Sequence, residues 1–316
     1  MISQVLLFFS ALIVSFLITY PIVRILKFFH LTQSIRQEGP VTHQAKAGTP
    51  TLGGIGLVLT IIAFTLVFIN FEFDLKYLAL IILITGFATI GLIDDLIKVI
   101  RKQNLGLTFW QKIVAQIVIA GLFSLFLVSL GHHQTLGGLL KAFGFSNLIL
   151  FFLLSTFMVV GTANATNLTD GLNGLLVGTG GIAFLFFAVL SVKLFFPDAL
   201  TFSLIASGVI LGFLYYNFPK AQVFLGDVGA LAIGAALAGL ALIMHQELRL
   251  IVIGGIFVAE TLSVILQVTS YKLWKKRIFK MTPLHHHFEL LGFKERSIVV
   301  GFWVVGIILG VVGVLI

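Results

Sequence analysis

Apolar residues in this chain fall into long, nearly unbroken runs separated by short polar segments, the pattern of helices that cross a lipid bilayer. The runs cover Ile2 to Ile22, Leu52 to Asn70, Tyr77 to Ile93, Ile113 to Leu130, Leu148 to Ala163, Leu175 to Phe196, Leu200 to Tyr216, Gly229 to Met244, Leu250 to Tyr271 and Ile298 to Ile316. Several lie near the lower length limit for a span. The pattern predicts an all-α, polytopic integral membrane protein with ten transmembrane helices, and an even number of spans puts both termini on one side. No polar stretch is long enough for a second domain, and no repeat or low-complexity linker divides the chain. Residues 1–316 are therefore expected to form one ten-helix domain. The first run lacks a preceding basic residue and a small-residue cleavage site, and it exceeds a signal-peptide core, so it is expected to be a retained helix.

Composition agrees with this pattern. Of 316 residues 59% are hydrophobic and only 10% charged, with a mean hydropathy of +1.13 and 32 Phe. A soluble fold could not hide that much apolar surface. There is no Cys, which excludes disulfides, thiolate metal sites and thiol nucleophiles. The net charge of +8 is expected to serve topology and anionic membrane lipids, with no nucleic acid partner. Its distribution is informative, because 16 of the 20 Lys and Arg fall in alternate loops: Arg24 to Lys46, Lys98 to Lys112, Lys220, and Lys272 to Arg296. By the positive-inside rule those loops face the cytoplasm and both termini face outward, to the periplasmic or extracellular side.

The chemistry-bearing residues cluster on that same face. The third run ends in Asp94-Asp95-Leu96-Ile97-Lys98. If the helix continues, Asp94 and Lys98 share a face, either as an ordinary polar helix end or as a carboxylate pair beside a phosphate-holding lysine. The loop expected after the fifth span, Asn164 to Gly174, carries Asn167, Asp170, Gly171, Leu172 and Asn173 without any Lys or Arg. Such residues form turns and caps, but so many acceptors also suit ribose hydroxyls or a hydrated cation. In Gly226-Asp227-Val228-Gly229 two glycines bracket an Asp where the eighth span begins, and helix N-termini favour anions. The loop from Lys46 through Thr49-Pro50-Thr51 to Gly54 has neither a Walker nor a dinucleotide pattern, yet its lysine and hydroxyls could hold phosphate. Trp274, Ile278 and Met281 stand at helical spacing against Lys275, Lys276, Arg277 and Lys280, predicting an amphipathic segment on the membrane surface. His285-His286-His287 cannot converge on one zinc, which leaves them as interfacial residues or as hydrogen-bond donors to phosphate or sugar oxygens. Glu260 lies midway along the ninth run, where an ionisable group must pair, line a cavity or mark a break. Gln267, two turns on, could offer its amide to a base.

Together, Lys-x-Gly-Thr-Pro-Thr-x-Gly-Gly from Lys46, Asp94-Asp95-x-x-Lys98, Asn167-Leu168-Thr169-Asp170-Gly171-Leu172, Gly226-Asp227-x-Gly229 and Pro283-Leu284-His285-His286-His287-Phe288-Glu289 resemble the polyprenyl-phosphate N-acetylhexosamine-1-phosphate transferases. The histidine stretch looks like their phospho-N-acetylmuramoyl-pentapeptide-transferase branch. The resemblance implies ten helices in a bacterial cytoplasmic membrane, an active site at the cytoplasmic face, Mg²⁺, UDP-N-acetylmuramoyl-pentapeptide as donor, undecaprenyl phosphate as acceptor, and a homodimer. It further implies Asp227 as the principal metal ligand, with Asp94, Asp95 and His286 also catalytic. Lys46 and Lys98 would contact phosphate. Asn167, Asp170, Gly171, Leu172 and Asn173 would line the nucleoside side, Phe224 would stack on uracil, Gln267 would meet the base edge, and His285 and His287 would contact the donor. Two positions depart from the family pattern: Asn173 replaces a usual second Asp, and Ala230 replaces a frequent Ser. An amide at Asn173 keeps hydrogen bonding but loses charge. Two alternatives remain at this stage: a transferase using UDP-N-acetylglucosamine, disfavoured by the triple histidine, and an ion-coupled transporter, disfavoured because the polar motifs sit on one face and not at mid-membrane.

Overall fold

The computed structural model describes residues 2–32, 48–69, 74–103, 105–132 and 147–316. Among them the chain is helical, with one isolated bridge between Thr32 and Pro50. The helices are α1 (Ile2–Phe28), α2 (Gly54–Phe68), α3 (Leu75–Ile100), α4 (Phe109–Ser129), α5 (Asn147–Thr169), α6 (Leu175–Lys193), α7 (Pro197–Asn217), α8 (Gly226–Ile243), α9 (Glu247–Ile253), α10 (Gly255–Trp274), α11 (Leu284–Leu290) and α12 (Glu295–Leu315). Among the described residues nine of these are long and apolar enough to cross a membrane, and α2 is a shorter apolar helix of 15 residues. The chain is a multi-pass membrane protein.

Helix α8 is the centre of the bundle. Every one of its residues except Asp227 is buried, which requires small residues where neighbours cross. A Cβ added to Gly54 of α2 would lie 2.5 Å from the Gly229 backbone, so those two helices meet backbone to backbone. α3 and α5 pack along other faces of α8, while α1 and α6 flank α7. Lipid-facing surfaces carry large apolar side chains such as Phe157, Val118 and Ile308, as a hydrocarbon solvent demands.

The predicted boundaries shift where polar groups find partners. α2 begins later than its apolar run because Pro50 to Gly54 is engaged elsewhere: Phe224 N donates to Pro50 O at 2.8 Å, and Gly53 N and Gly54 N donate to Phe224 O and Leu225 O, each at 2.9 Å. α5 runs on to Thr169, so Asn164 to Thr169 form a helical end and not the expected loop. Their hydroxyls are absorbed by the helix itself, Thr169 Oγ1 donating to Ala165 O at 2.8 Å, and by α8, Thr166 Oγ1 donating to Ala230 O at 2.9 Å. The single ninth run is divided at Gly254 into α9 and α10. The amphipathic surface helix through Trp274, Ile278 and Met281 does not form. Lys275 adopts a left-handed φ of 54° that ends α10, and α10 side chains then bond the backbone that follows.

Candidate active site

Asp94 and Asp95 sit in the last two turns of α3, which continues past the apolar run as helical spacing requires. Lys98 Nζ lies 2.5 Å from Asp94 Oδ2 one turn away, and 3.6 Å from Asp95 Oδ1. The two carboxylates have distinct second contacts. Asp94 Oδ1 accepts from Leu107 N at 2.8 Å, which folds the segment before α4 over α3. Asp95 Oδ2 accepts from Val228 N at 3.3 Å, one of the unpaired amides at the start of α8.

Asp227 occupies the first turn of α8, where a carboxylate is favoured by the helix dipole. Gly226 just before it has φ +76°, and a Cβ there would lie 2.5 Å from Asp95 Oδ2 and 3.0 Å from Thr51 Oγ1. Only glycine meets both the conformation and the space. Asp227 Oδ1 accepts from Asn167 Nδ2 at 2.9 Å, while Oδ2 receives Lys98 Nζ at 3.1 Å and Lys112 Nζ at 2.5 Å. Asp94, Asp95 and Asp227 can each offer one oxygen with all three within 4.8 Å of one another.

Lys112 was counted in the sequence only toward loop charge. It enters through the first turn of α4, which a reciprocal Thr108–Gln111 capping box fixes in place. A cation is disfavoured at that end of a helix, so its direct contact with Asp227 is what makes the position tenable. Gln116, one turn further along α4, accepts from Asn164 Nδ2 at 2.6 Å, and Asn164 lies three residues before Asn167 on α5. The sequence signal for this seam was the spacing of Asn164 and Asn167, which share a helix face.

The cluster can hold a divalent cation. Its ligand atoms are hard oxygens, and three carboxylates face two ammonium groups, leaving one formal negative charge unmatched. Thr51 Oγ1, buried without a hydrogen-bond partner among the described residues, adds a neutral oxygen beside Gly226.

The other sequence-predicted residues make separate contacts. Leu172 is buried at 3% exposure with Leu175, Ile256 and Val299. Asn173 is pinned through its own N–H to Glu295 Oε1 at 2.8 Å, and its Nδ2 donates to Pro219 O at 3.3 Å. Asp170 and Gly171 sit in the turn after α5, and Gly171 faces the ring of His285, which has no exposed surface. His286 Nδ1 lies 2.7 Å from Glu289 Oε2, and His287 Nδ1 accepts from Lys280 N at 3.1 Å. Phe224 is half-buried, its backbone tied to Pro50 and Gly53. Gln267 bonds the returning chain at Ile278 and Phe279. Lys46 lies outside the described residues.

A family model described as glycosyl transferase family 4 matches residues 77–245, the stretch that carries Asp94, Lys112, Asn167 and Asp227. Proteins named phospho-N-acetylmuramoyl-pentapeptide-transferase match nearly the whole chain. The one from Shouchella clausii is 46% identical over 97% of this chain and 94% of its own length. Those from Bacillus pumilus and Bacillus subtilis are 45% and 44% identical, each over 99% of this chain and 98% of theirs. With an acidic cluster at the helix ends and likeness along nearly its entire length, the chain belongs to glycosyl transferase family 4, in its phospho-N-acetylmuramoyl-pentapeptide-transferase branch.

Proposed function

We propose that this protein transfers phospho-N-acetylmuramoyl-pentapeptide from its UDP conjugate to undecaprenyl phosphate, releasing UMP and forming the first lipid-linked intermediate of peptidoglycan synthesis, at the cytoplasmic face of a bacterial cell membrane. The observation that carries this is the meeting of Asp94, Asp95 and Asp227 with Lys98 and Lys112 at the ends of three helices. Support also comes from the names of relatives sharing nearly half of their residues with this chain. Ten spans, with α2 counted among them and both termini outward, agree with the placement of Lys and Arg in alternate loops.

Both reactants are anionic, so catalysis must first overcome their repulsion. The oxygens of Asp227, Asp94 and Asp95 suit Mg²⁺, which when bound supplies positive charge to a pyrophosphate. Lys98 and Lys112 are placed to hold phosphate oxygens as charge moves onto the leaving UMP. Asn167 fixes the orientation of Asp227 by occupying Oδ1. The lipid phosphate, with a second pKa of about 6, is largely dianionic near neutral pH, so it can attack the β-phosphorus directly. Asp94 or Asp95 then accepts any residual proton, and the bond to UMP breaks in line with the bond that forms.

Purified protein given the UDP-N-acetylmuramoyl-pentapeptide, undecaprenyl phosphate and Mg²⁺ tests this by UMP release. Release is expected from wild type and loss of it from Asp227→Ala. Turnover only with UDP-N-acetylglucosamine, or none with either donor, would overturn the assignment. Inversion at the transferred phosphorus is expected for direct attack, and net retention would require a covalent phospho-enzyme.

A further inference from the structure

Glu260 lies in α10 with no exposed surface, in a span where a carboxylate needs partners to offset lost hydration. Its partner comes from chain that has left the helix and returned. His285 Nδ1 lies 3.1 Å from Glu260 Oε1, and His285 N donates to Glu260 Oε2 at 3.4 Å. Two more side chains on the same side of α10 grip the same returning stretch. Gln267 accepts from Ile278 N at 2.9 Å and Phe279 N at 3.0 Å, and donates to Phe279 O at 2.9 Å. Ser270 Oγ donates to Lys276 O at 2.9 Å. Taken in order, positions 270, 267 and 260 hold residues 276, 278–279 and 285, so the chain runs back along α10 as on a ladder and delivers α11 at its end.

The far side of the His285 ring is equally constrained. Neither ring nitrogen makes a hydrogen bond among the described residues, Nδ1 meeting Glu260 as an ion-pair contact only, and a Cβ on Gly171 would lie 2.2 Å from Nε2. The ring is thus wedged between α10 and the Asp170–Gly171 turn. That turn directly follows the end of α5, whose Asn167 donates to Asp227. His285 has no surface with which to touch a substrate, whereas His286 and His287, next in the chain, are only half-buried.

We propose that Glu260 and His285 are positioning residues for the sugar-nucleotide donor. Glu260 holds His285 through its backbone N–H and faces Nδ1 as an ion-pair partner, the ring seats α11 against the Gly171 turn, and His286 and His287 are thereby presented to the donor. The proposal rests on the function proposed above. A buried carboxylate–imidazole pair is a weak source of stability, since an apolar pair of equal volume can serve as well; what such a pair adds is direction.

The test compares Glu260→Ala and Glu260→Gln, reading donor and acceptor KM, kcat, thermal midpoint, and modification of each histidine by diethyl pyrocarbonate, located by mass spectrometry. Wild-type His285 is expected to be protected. Glu260→Ala is expected to expose His285 and to lower kcat/KM for the donor on the order of a hundredfold, as a small misplacement of contact groups does, with acceptor KM unchanged. Glu260→Gln keeps an acceptor oxygen for the His285 N–H and is expected to restore protection and most of the donor kcat/KM. Rapid modification of His285 in wild type would overturn the proposal, as would Glu260→Ala with unchanged donor kinetics. A parallel loss of donor and acceptor binding and of thermal stability, unrelieved in Glu260→Gln, would reduce the pair to a structural one and also overturn it. Absence of UMP release by wild type would remove the proposed function, while histidine protection would still report on the pair.

Discussion

Lys112 and Glu247 sit near opposite ends of the protein and carry opposite consequences. Lys112 stands in the first turn of α4 against the helix dipole, held 2.5 Å from Asp227 Oδ2. Lys112→Met is expected to lower kcat by about 10²–10³, the range for removing one group aimed at developing charge, and steady-state UMP release checks it. Glu247 opens α9, outside the spans, and its Oε1 is buried without a hydrogen-bond partner among the described residues. Burial pushes its pKa up from an ordinary 4.5 to about 7. The folded protein therefore binds this proton more tightly than the unfolded chain, so the group's contribution to stability falls as pH rises from 4.5 to about 7 and stays low above that. Glu247→Gln is expected to flatten that slope and raise the thermal midpoint at pH 8 by roughly 2–4 °C, read by a melt series across pH. Neither role was legible in the sequence. Lys112 looked like one more topogenic cation because the residue that explains it lies 115 positions away, and nothing in the pattern around Glu247 marks its burial.

At the scale of elements, apolar run length located the spans, because lipid imposes the same rule on every helix. It failed where polar side chains kept a helix going or chain geometry interrupted one. Asn164 to Thr169 looked like a turn from composition, yet threonine hydroxyls can return to carbonyls one turn back, and the real turn begins only at Asp170. The run from Leu250 is broken at Gly254, and the basic stretch after Trp274 is pulled back by Gln267 and Ser270. The Asp94–Lys98 pairing was legible because it is local, whereas the approach of Asp95 to the start of α8 was not. That junction makes Gly226 a sensitive point. Gly226→Ala would place a Cβ 2.5 Å from Asp95 Oδ2 at a φ of +76°, a backbone strain of about 1–2 kcal/mol for a non-glycine residue. Activity is expected to fall on the order of a hundredfold while the protein stays folded, which kinetics and a thermal melt distinguish.

At the scale of the whole molecule, the absence of Cys from the sequence makes sidedness directly measurable. Lys276→Cys is expected to react with a membrane-impermeant maleimide only in inside-out vesicles, and Phe195→Cys, at 90% exposure, only in right-side-out ones. The reverse labelling would put the acidic cluster on the wrong side for a cytoplasmic nucleotide donor. The enclosure of α8 has a consequence for biosynthesis. Among the described residues this helix is the eighth to leave the ribosome, yet α2, α3 and α5 already carry the Gly54 contact, the Asp95 acceptor and the Thr166 donor that it will satisfy. A nascent chain halted before residue 226 holds those groups without their counterpart, and it should be readily cut by protease. Release beyond residue 243 should confer resistance in one step, because the late arrival of a single central segment closes the surrounding ring.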